Sequence, residues 1–317
     1  MKNICSTNNN GIKKVKQRKF NSGKVELLLM CAPASIIILF ISYFPMAGLI
    51  VAFQRFSYSK GFFGSEWVGF QNFKFLFLGG NAWRITRNTI GLNVLFIVAG
   101  LVVSIIFALM LYEITRKNFI KIYQTVMFFP YFISWVVVSY IVYAFLKMDG
   151  GLVNTVLLKF NIPAVQWYSE AKYWPFVLLI AYLWKWTGYY CIIYYTGLMS
   201  IDNEFFEAAE IDGATKFQKT IHISIPLLTP LITIMVLLQI GRIFYSDFGM
   251  FYNLPMNSGM LYETTDVIDT YVFRSFRVTG EVGMASAAGF YQSFVGLVMV
   301  AVSNLVVKRI NPENALY

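Results

Sequence analysis

The chain has one histidine, His222, and three cysteines, Cys5, Cys31 and Cys191. A lone imidazole cannot build an H-E-x-x-H zinc site, and no C-x-x-C spacing occurs for metal or redox work. Cys31 follows an apolar stretch, but Met30 precedes it where lipoprotein processing needs a small residue. It therefore reads as a small hydrophobe in a helix. There is no G-x-x-x-x-G-K-[ST] loop to cradle ATP phosphates and no G-x-S-x-G elbow to carry a nucleophile. An intramembrane enzyme needs paired catalytic groups, and the sequence offers none. The chain is expected to do no covalent chemistry and to hold no metal and no cofactor of its own.

What remains is a set of polar residues inside apolar runs. Lys185 is the single charge within the run from Tyr173 to Ile201. It lies about 16 Å past Trp174 along a helix, where a cation is costly and must face a cavity or a partner. Tyr182, Gly188 and Tyr189 share its helical face, and Trp184 and Trp186 flank it. An ammonium can donate to hydroxyls or a carboxylate, and aromatic rings stack on a sugar's C–H face. Snorkelling, or pairing with an acid of a partner subunit, is the competing reading. Further on, Gln239 and Arg242 are three apart, with Tyr245 and Asp247 beyond. Gln239 suits a cavity wall, whereas Arg242 suits either that wall or an ion pair with Asp247. Ser286, Tyr291 and Gln292 suit either substrate contacts or bonds between helices. Lys185, Tyr182, Tyr189, Gln239, Arg242, Tyr291 and Gln292 thus form the candidate substrate pathway.

A second cluster is acidic. Residues 202–219 carry Asp202, Glu204, Glu207, Glu210 and Asp212 against Lys216 and Lys219. Asp202 or Asn203 can cap a helix whose positive end suits Glu204 and Glu207. Gly213 suits the left-handed residue that ends it. The helix, about 203–213, would offer Phe205, Phe206 and Ile211 as anchors and Ala208, Ala209 and Ala214 as gaps for close approach. An amphipathic helix lying on the membrane favours Lys and Arg instead. The segment reads as a docking element.

The elements that position these residues follow from hydropathy. Hydrophobic residues are 57 % of the 317 and charged residues 13 %, against about 45–50 % and 25 % in soluble proteins. The mean hydropathy is +0.59. That much apolar surface excludes a soluble domain and a disordered chain alike. Windows poor in charge predict six membrane-spanning helices, at about 27–50, 89–112, 122–146, 174–198, 221–242 and 284–307. They lack the alternation of barrel strands. The expected fold class is therefore all-α, a polytopic membrane protein, with a transmembrane domain over 26–310. The net charge of +10 gathers in the tail 1–25 and near the ends of later runs. That distribution marks cytoplasmic flanks, not a nucleic-acid face. The tail, the 2–3 connection with Arg116, Lys117 and Lys121, and the tail 311–317 after Lys308 and Arg309 are expected in the cytoplasm. The connections 54–87, 147–172 and 242–281 are then external, with Trp67, Trp83, Trp167 and Trp174 as interfacial aromatics.

Glu207-Ala208-Ala209, then Asp212-Gly213-Ala214, then Phe217, Ile225 and Pro226 resemble the EAA signature of binding-protein-dependent ABC importers. Pro130-Tyr131-Phe132-Ile133-Ser134-Trp135, Trp67-Val68-Gly69-Phe70, Thr264-Thr265-Asp266-Val267-Ile268-Asp269 and Asn311-Pro312-Glu313-Asn314-Ala315 resemble its complex-carbohydrate branch, which handles alginate, aldouronate and similar oligosaccharides. The resemblance covers about residues 24–317. It implies a type I ABC importer permease fold in a bacterial cytoplasmic membrane, with 203–213 as the coupling helix. It also implies a second, similar permease, two cytoplasmic ATPase subunits that hold ATP and Mg, an extracytoplasmic sugar-binding protein and surrounding lipid, but no nucleic acid. Lys185 and Arg242, without matching acids inside the spans, point to an anionic saccharide. A permease for a peptide or polyol, or a receptor or channel, is the alternative; neither a receptor nor a channel needs an ATPase dock.

Overall fold

The computed structural model describes residues 22–78 and 80–310. Most of the basic tail, with Cys5, and the ending 311–317 with its Asn-Pro-Glu-Asn-Ala block lie outside the described residues. The chain divides into two compact units, one up to Gly48 and one from Leu49 onward. In the first, helix α1 (Ser22–Ile38) continues into a wider turn, Leu39–Tyr43, and a tighter one that begins at Phe44. Pro33 and Pro45 interrupt the regular ladder here by withholding donors.

Among the described residues, the secondary structure of the second unit is helical apart from one short hairpin. Strands β1 (Gln54–Arg55) and β2 (Glu66–Trp67) pair antiparallel, with Gln54 opposite Trp67. Helix α2 (Gln71–Leu78) leads to the long α3 (Asn81–Tyr112). Next come α4 (Lys117–Phe128), a tight turn at Phe129–Phe132, α5 (Trp135–Leu146) and α6 (Leu152–Lys159). Helix α7 (Trp174–Met199) crosses back alongside α3, followed by α8 (Asn203–Ile211) and α9 (Ile225–Ile240). The chain then forms α10 (Phe248–Asn253), α11 (Ile268–Arg277) and the long α12 (Val282–Ile310).

Among the described residues, five continuous helical segments are long and apolar enough to cross a membrane: Glu26–Phe53, Asn81–Tyr112, Ala171–Met199, Lys216–Ile240 and Val282–Leu305. The third window expected from hydropathy, 122–146, is not one straight helix. Its halves, Lys117–Phe132 and Trp135–Leu146, meet at a bend of 97°. Pro130 lacks an N–H, Ile133 and Ser134 turn extended, and the Ser134 hydroxyl accepts from Val137 N–H to start a fresh helix. Hydropathy is blind to this reversal because both halves are apolar.

Each long helix is apolar around most of its circumference, as a helix flanked by lipid or other helices must be. Phe176, Ile180 and Leu297 are each more than 60 % exposed, a surface that water would not tolerate but hydrocarbon suits. Three buried clusters hold the unit together. One joins Leu92 and Phe96 of α3 to Trp135, Trp174, Leu178 and the 250–267 segment. Another joins Ile85 to Phe244, Ile268, Tyr271 and Ala288. The third joins Ala108 and Leu111 to Cys191, Tyr194, Leu198 and Leu228. Trp174, expected at an interface, is fully buried and donates to the Trp167 carbonyl at 2.7 Å. The connection 242–281 is folded rather than loose. Asp266 accepts from Arg274 at 2.8 Å and from Arg84 at 3.1 Å, and Asp269 accepts from Ser246 N–H at 2.8 Å.

Candidate functional site

The acidic segment builds a self-contained projecting element. Asp202 caps α8 by accepting from Glu204 N–H at 3.1 Å. At the other end Gly213 has φ +76°. Its N–H donates to Glu210 O at 3.0 Å, and Ala214 N–H donates to Ala209 O at 2.9 Å. This pair of bonds is the left-handed helix stop that glycine favours, and it turns the chain sharply toward α9. Thr215 and Gln218 then exchange bonds to cap the single turn Lys216–Lys219. His222 shares a hydrogen bond of 3.0 Å with the Gln218 carbonyl, a structural role.

One ion pair and one ring contact moor the element to the end of α3, and a second ion pair braces it internally. Lys216 meets Glu113 at 2.8 Å, and Lys219 meets Glu210 at 2.5 Å. Lys219 thereby holds the Glu210 carboxyl below its ordinary pKa. Phe206 lies 5.9 Å from the Tyr112 ring. Phe205, Ile211 and Phe217 remain exposed, Ile211 by 88 %. Glu207 and Ala208 are exposed beside them, while Ala209, Asp212, Gly213 and Ala214 line a shallow hollow of about 320 Å³ behind the helix. Glu207, Ala208, Ala209, Asp212, Gly213 and Ala214 therefore sit on one small projection, with apolar anchors left uncovered, while Ile225 and Pro226 of the signature open α9.

The second feature is a cavity of about 400 Å³ lined by α3, α7, α9 and the start of the 242–281 connection. Tyr182, Trp186, Tyr189 and Tyr190 of α7 form an aromatic wall. Asn93, Gln239, Arg242, Tyr245 and Asp247 add polar groups. The Trp186 indole N–H is buried with no partner among the described residues. Rings with interspersed amides and charges can stack on apolar sugar faces and bond the hydroxyls between them.

Four of the seven expected pathway residues meet here: Tyr182, Tyr189, Gln239 and Arg242. The other three do not. Lys185 is 6 % exposed and points away from the cavity, into the bend of the third span. Its ammonium donates to the carbonyls of Pro130 at 3.4 Å, of Tyr131 at 3.1 Å and, more closely, of Ile133. A helix that ends inside a membrane strands its last carbonyls, and Lys185 takes them. Tyr291 hydrogen-bonds Thr86 at 3.1 Å. The Gln292 amide donates to Phe244 O at 2.7 Å and Asp269 at 3.1 Å. These two bind helices together. Arg242 forms no ion pair with Asp247 among the described residues; both face the cavity. Asp247, Trp186, Tyr190 and Asn93 line the cavity too, outside the seven residues expected there. Trp186 and Tyr190 stand one and five residues past Lys185, and so could have been found once the inward face of α7 was set by Tyr182 and Tyr189.

A bundle of membrane-crossing helices around a polar-aromatic cavity, with a capped helix projecting from it, fits a multi-pass transport permease. Residues 100–312 match the family described as Binding-protein-dependent transport system inner membrane component, and the chain belongs to it. It is 30 % identical over 287 residues to the polygalacturonan/rhamnogalacturonan transport system permease protein YteP of Bacillus subtilis (strain 168), covering 90 % of this chain and 89 % of that one. It also resembles a chain in the crystal structure of a bacterial ABC transporter involved in the import of the acidic polysaccharide alginate. The TM-score is 0.83 at 31 % identity, over 91 % of this chain and 97 % of that one. A second structure, of a bacterial alginate ABC transporter with an alginate pentasaccharide-bound periplasmic protein, gives 0.82 at 31 % identity, over 91 % and 96 %. The all-α ABC-permease fold expected from the sequence is the fold observed.

Proposed function

We propose that this chain is one membrane subunit of an ATP-driven importer that moves an oligosaccharide delivered by an extracytoplasmic binding protein. It pairs with a second, similar permease in a bacterial cytoplasmic membrane. Two ATPase subunits, which hold the ATP and Mg, dock beneath. Both termini lie in the cytoplasm, and the 242–281 connection faces outward. Hydrolysis draws the coupling helices together and shifts the bundle between outward- and inward-open states. The chain itself binds no cofactor and does no covalent chemistry.

The observation that carries this reading is α8. It is fixed at both ends by its own sequence, moored to the end of α3 by Phe206, and left with Phe205 and Ile211 uncovered. A short helix so held and so exposed is suited to transmit a push from a partner. The saccharide class is supported by the aromatic wall and by the transport proteins resembled. Arg242 is the cavity's cation and suits a uronic-acid carboxylate; Lys185 adds nothing to that argument, since its charge is spent on main-chain carbonyls. The test is to express the tagged chain with the genes beside it, purify the complex and measure uptake into proteoliposomes. Co-purifying ATPase subunits and uptake of labelled uronate oligosaccharide support the reading. Uptake of a peptide or polyol in place of any saccharide would overturn the substrate class.

A further inference from the structure

The third span's bend, Lys185 and the cavity are joined by a continuous set of contacts. Lys185 Nζ holds the carbonyls on both sides of the bend and lies 5.0 Å from the centre of the Trp135 ring. Gly249 packs close to that ring, since a Cβ there would come within 2.7 Å of it. The Trp135 indole N–H donates to Asp247 Oδ2 at 2.6 Å. Asp247 Oδ1 caps α10 by accepting from Met250 N–H at 3.3 Å. Asp247 is also one of the residues that line the cavity.

We propose that Asp247 is a substrate-reading residue of the cavity, and that Lys185 is the positioning residue that sets it there through the bend and Trp135. Each Asp247 oxygen has one protein donor and a lone pair to spare, so the carboxylate can accept a sugar hydroxyl. A charge-assisted bond of that kind is about twice as strong as a neutral one. It is also directional, so its worth depends on where the carboxylate is held. Trp135 fixes that place, and Trp135 is fixed by the bend. A bend of 97° inside a span is not a self-sustaining geometry, since the carbonyls it frees have no water. Lys185 is the group that satisfies them. Asp247 beside Arg242 gives the cavity one acceptor of hydroxyls and one partner for a carboxylate, a pattern matched to a ring that carries both.

The proposal rests on the cavity being part of the sugar's path, and the experiment separates the two. The assembled complex is reconstituted with saturating sugar-loaded binding protein, and the maximal uptake rate is measured beside the subunit ratio of the purified complex. Asp247→Asn, Trp135→Phe and Lys185→Met are each expected to lower the rate by about tenfold, the loss of one well-placed bond to a charged group. Trp135→Phe keeps a ring under the ammonium and removes only the donor to Asp247, so it remains informative if Lys185→Met does not assemble. Lys185→Arg retains donors to the carbonyls and should recover part of the rate. The double variant Trp135→Phe with Asp247→Asn should be no slower than the slower single one, because both act on one contact. A purely structural role predicts instead a lower yield of assembled complex with the rate per assembled complex unchanged. Gln239→Ala and Arg242→Ala probe the cavity independently. If these two slow uptake while Asp247→Asn and Trp135→Phe leave it at wild-type rate, the proposal fails and the cavity stands. If none of the four slows uptake, the cavity itself is not on the path.

Discussion

Replacing Gly213 with valine isolates the joint between α8 and the rest of the chain. Gly213 holds φ +76°, and a Cβ built on it meets nothing within 4 Å. Sterics with neighbours therefore contribute nothing, and the whole effect is backbone. An L-residue in the left-handed region costs about 1–2 kcal/mol, and a β-branched one is worse placed still. If valine leaves that region, the Gly213-to-Glu210 and Ala214-to-Ala209 bonds open with it. Their exposed groups turn to water, so each contributes no more than about 1 kcal/mol. A total of about 2 kcal/mol is small against the stability of the bundle, but large against the placement of a nine-residue helix. Insertion and assembly should be normal, while uptake and sugar-stimulated ATPase fall together, by about tenfold or more. Gly213→Asn is the control, because asparagine tolerates the left-handed region and should retain most of the activity. The assay is proteoliposome uptake beside phosphate release from the same preparation. Wild-type values for both in Gly213→Val would refute the reasoning, and so would a loss as deep in Gly213→Asn.

Three further outcomes are expected. Single cysteines at positions 60, 160 and 260 should react with an impermeant thiol reagent added outside, and one at 118 should not; labelling at 118 from outside would reverse the topology. Gly188→Ala places a Cβ 1.9 Å from the Met127 carbonyl, so α7 and the bent span must separate. The overpacking costs about 1–3 kcal/mol, read as a lower yield of assembled complex, and an unchanged yield would mean that the contact relaxes freely. Asp266→Asn leaves Arg84 and Arg274 facing each other across a buried site without their carboxylate. Breaking a buried pair in this way costs about 3–5 kcal/mol, moderated here because Arg84 is partly exposed, and should lower the thermal midpoint in detergent. A midpoint equal to wild type would contradict the buried-pair account.

What the sequence makes legible follows from range. The α8 element is written in adjacent residues: the cap Asp202, the stop Gly213 and the anchors between them act within one another's reach, so pattern and structure agree. The long apolar windows are legible because a membrane imposes length on any helix that crosses it. The bend at 130–134 is half-written. Pro130 and Ser134 mark a break, but the turn's direction depends on Lys185, 51 residues past Ser134. Lys185 itself misleads for a physical reason. A buried cation needs compensation, and sequence shows carboxylates but not stranded carbonyls, so the absence of a nearby acid suggests a cavity where there is a helix end. For Gln292 and Tyr291 the sequence leaves substrate contact and interhelical bonding open, because their partners Phe244 O and Thr86 belong to other elements. The order within 242–281 is set by Asp266 and Asp269 reaching distant donors, which no local pattern announces.

The most direct test of the account is where α8 touches its partner. Ile211 is 88 % exposed at the tip of the element, and a photo-crosslinking amino acid in its place would report what lies against it. Irradiation of the assembled complex should yield an adduct between this chain and an ATPase subunit, with an efficiency that changes when ATP is trapped. An adduct with lipid alone, in a complex that still contains its ATPase, would contradict the assignment of this helix as the coupling element.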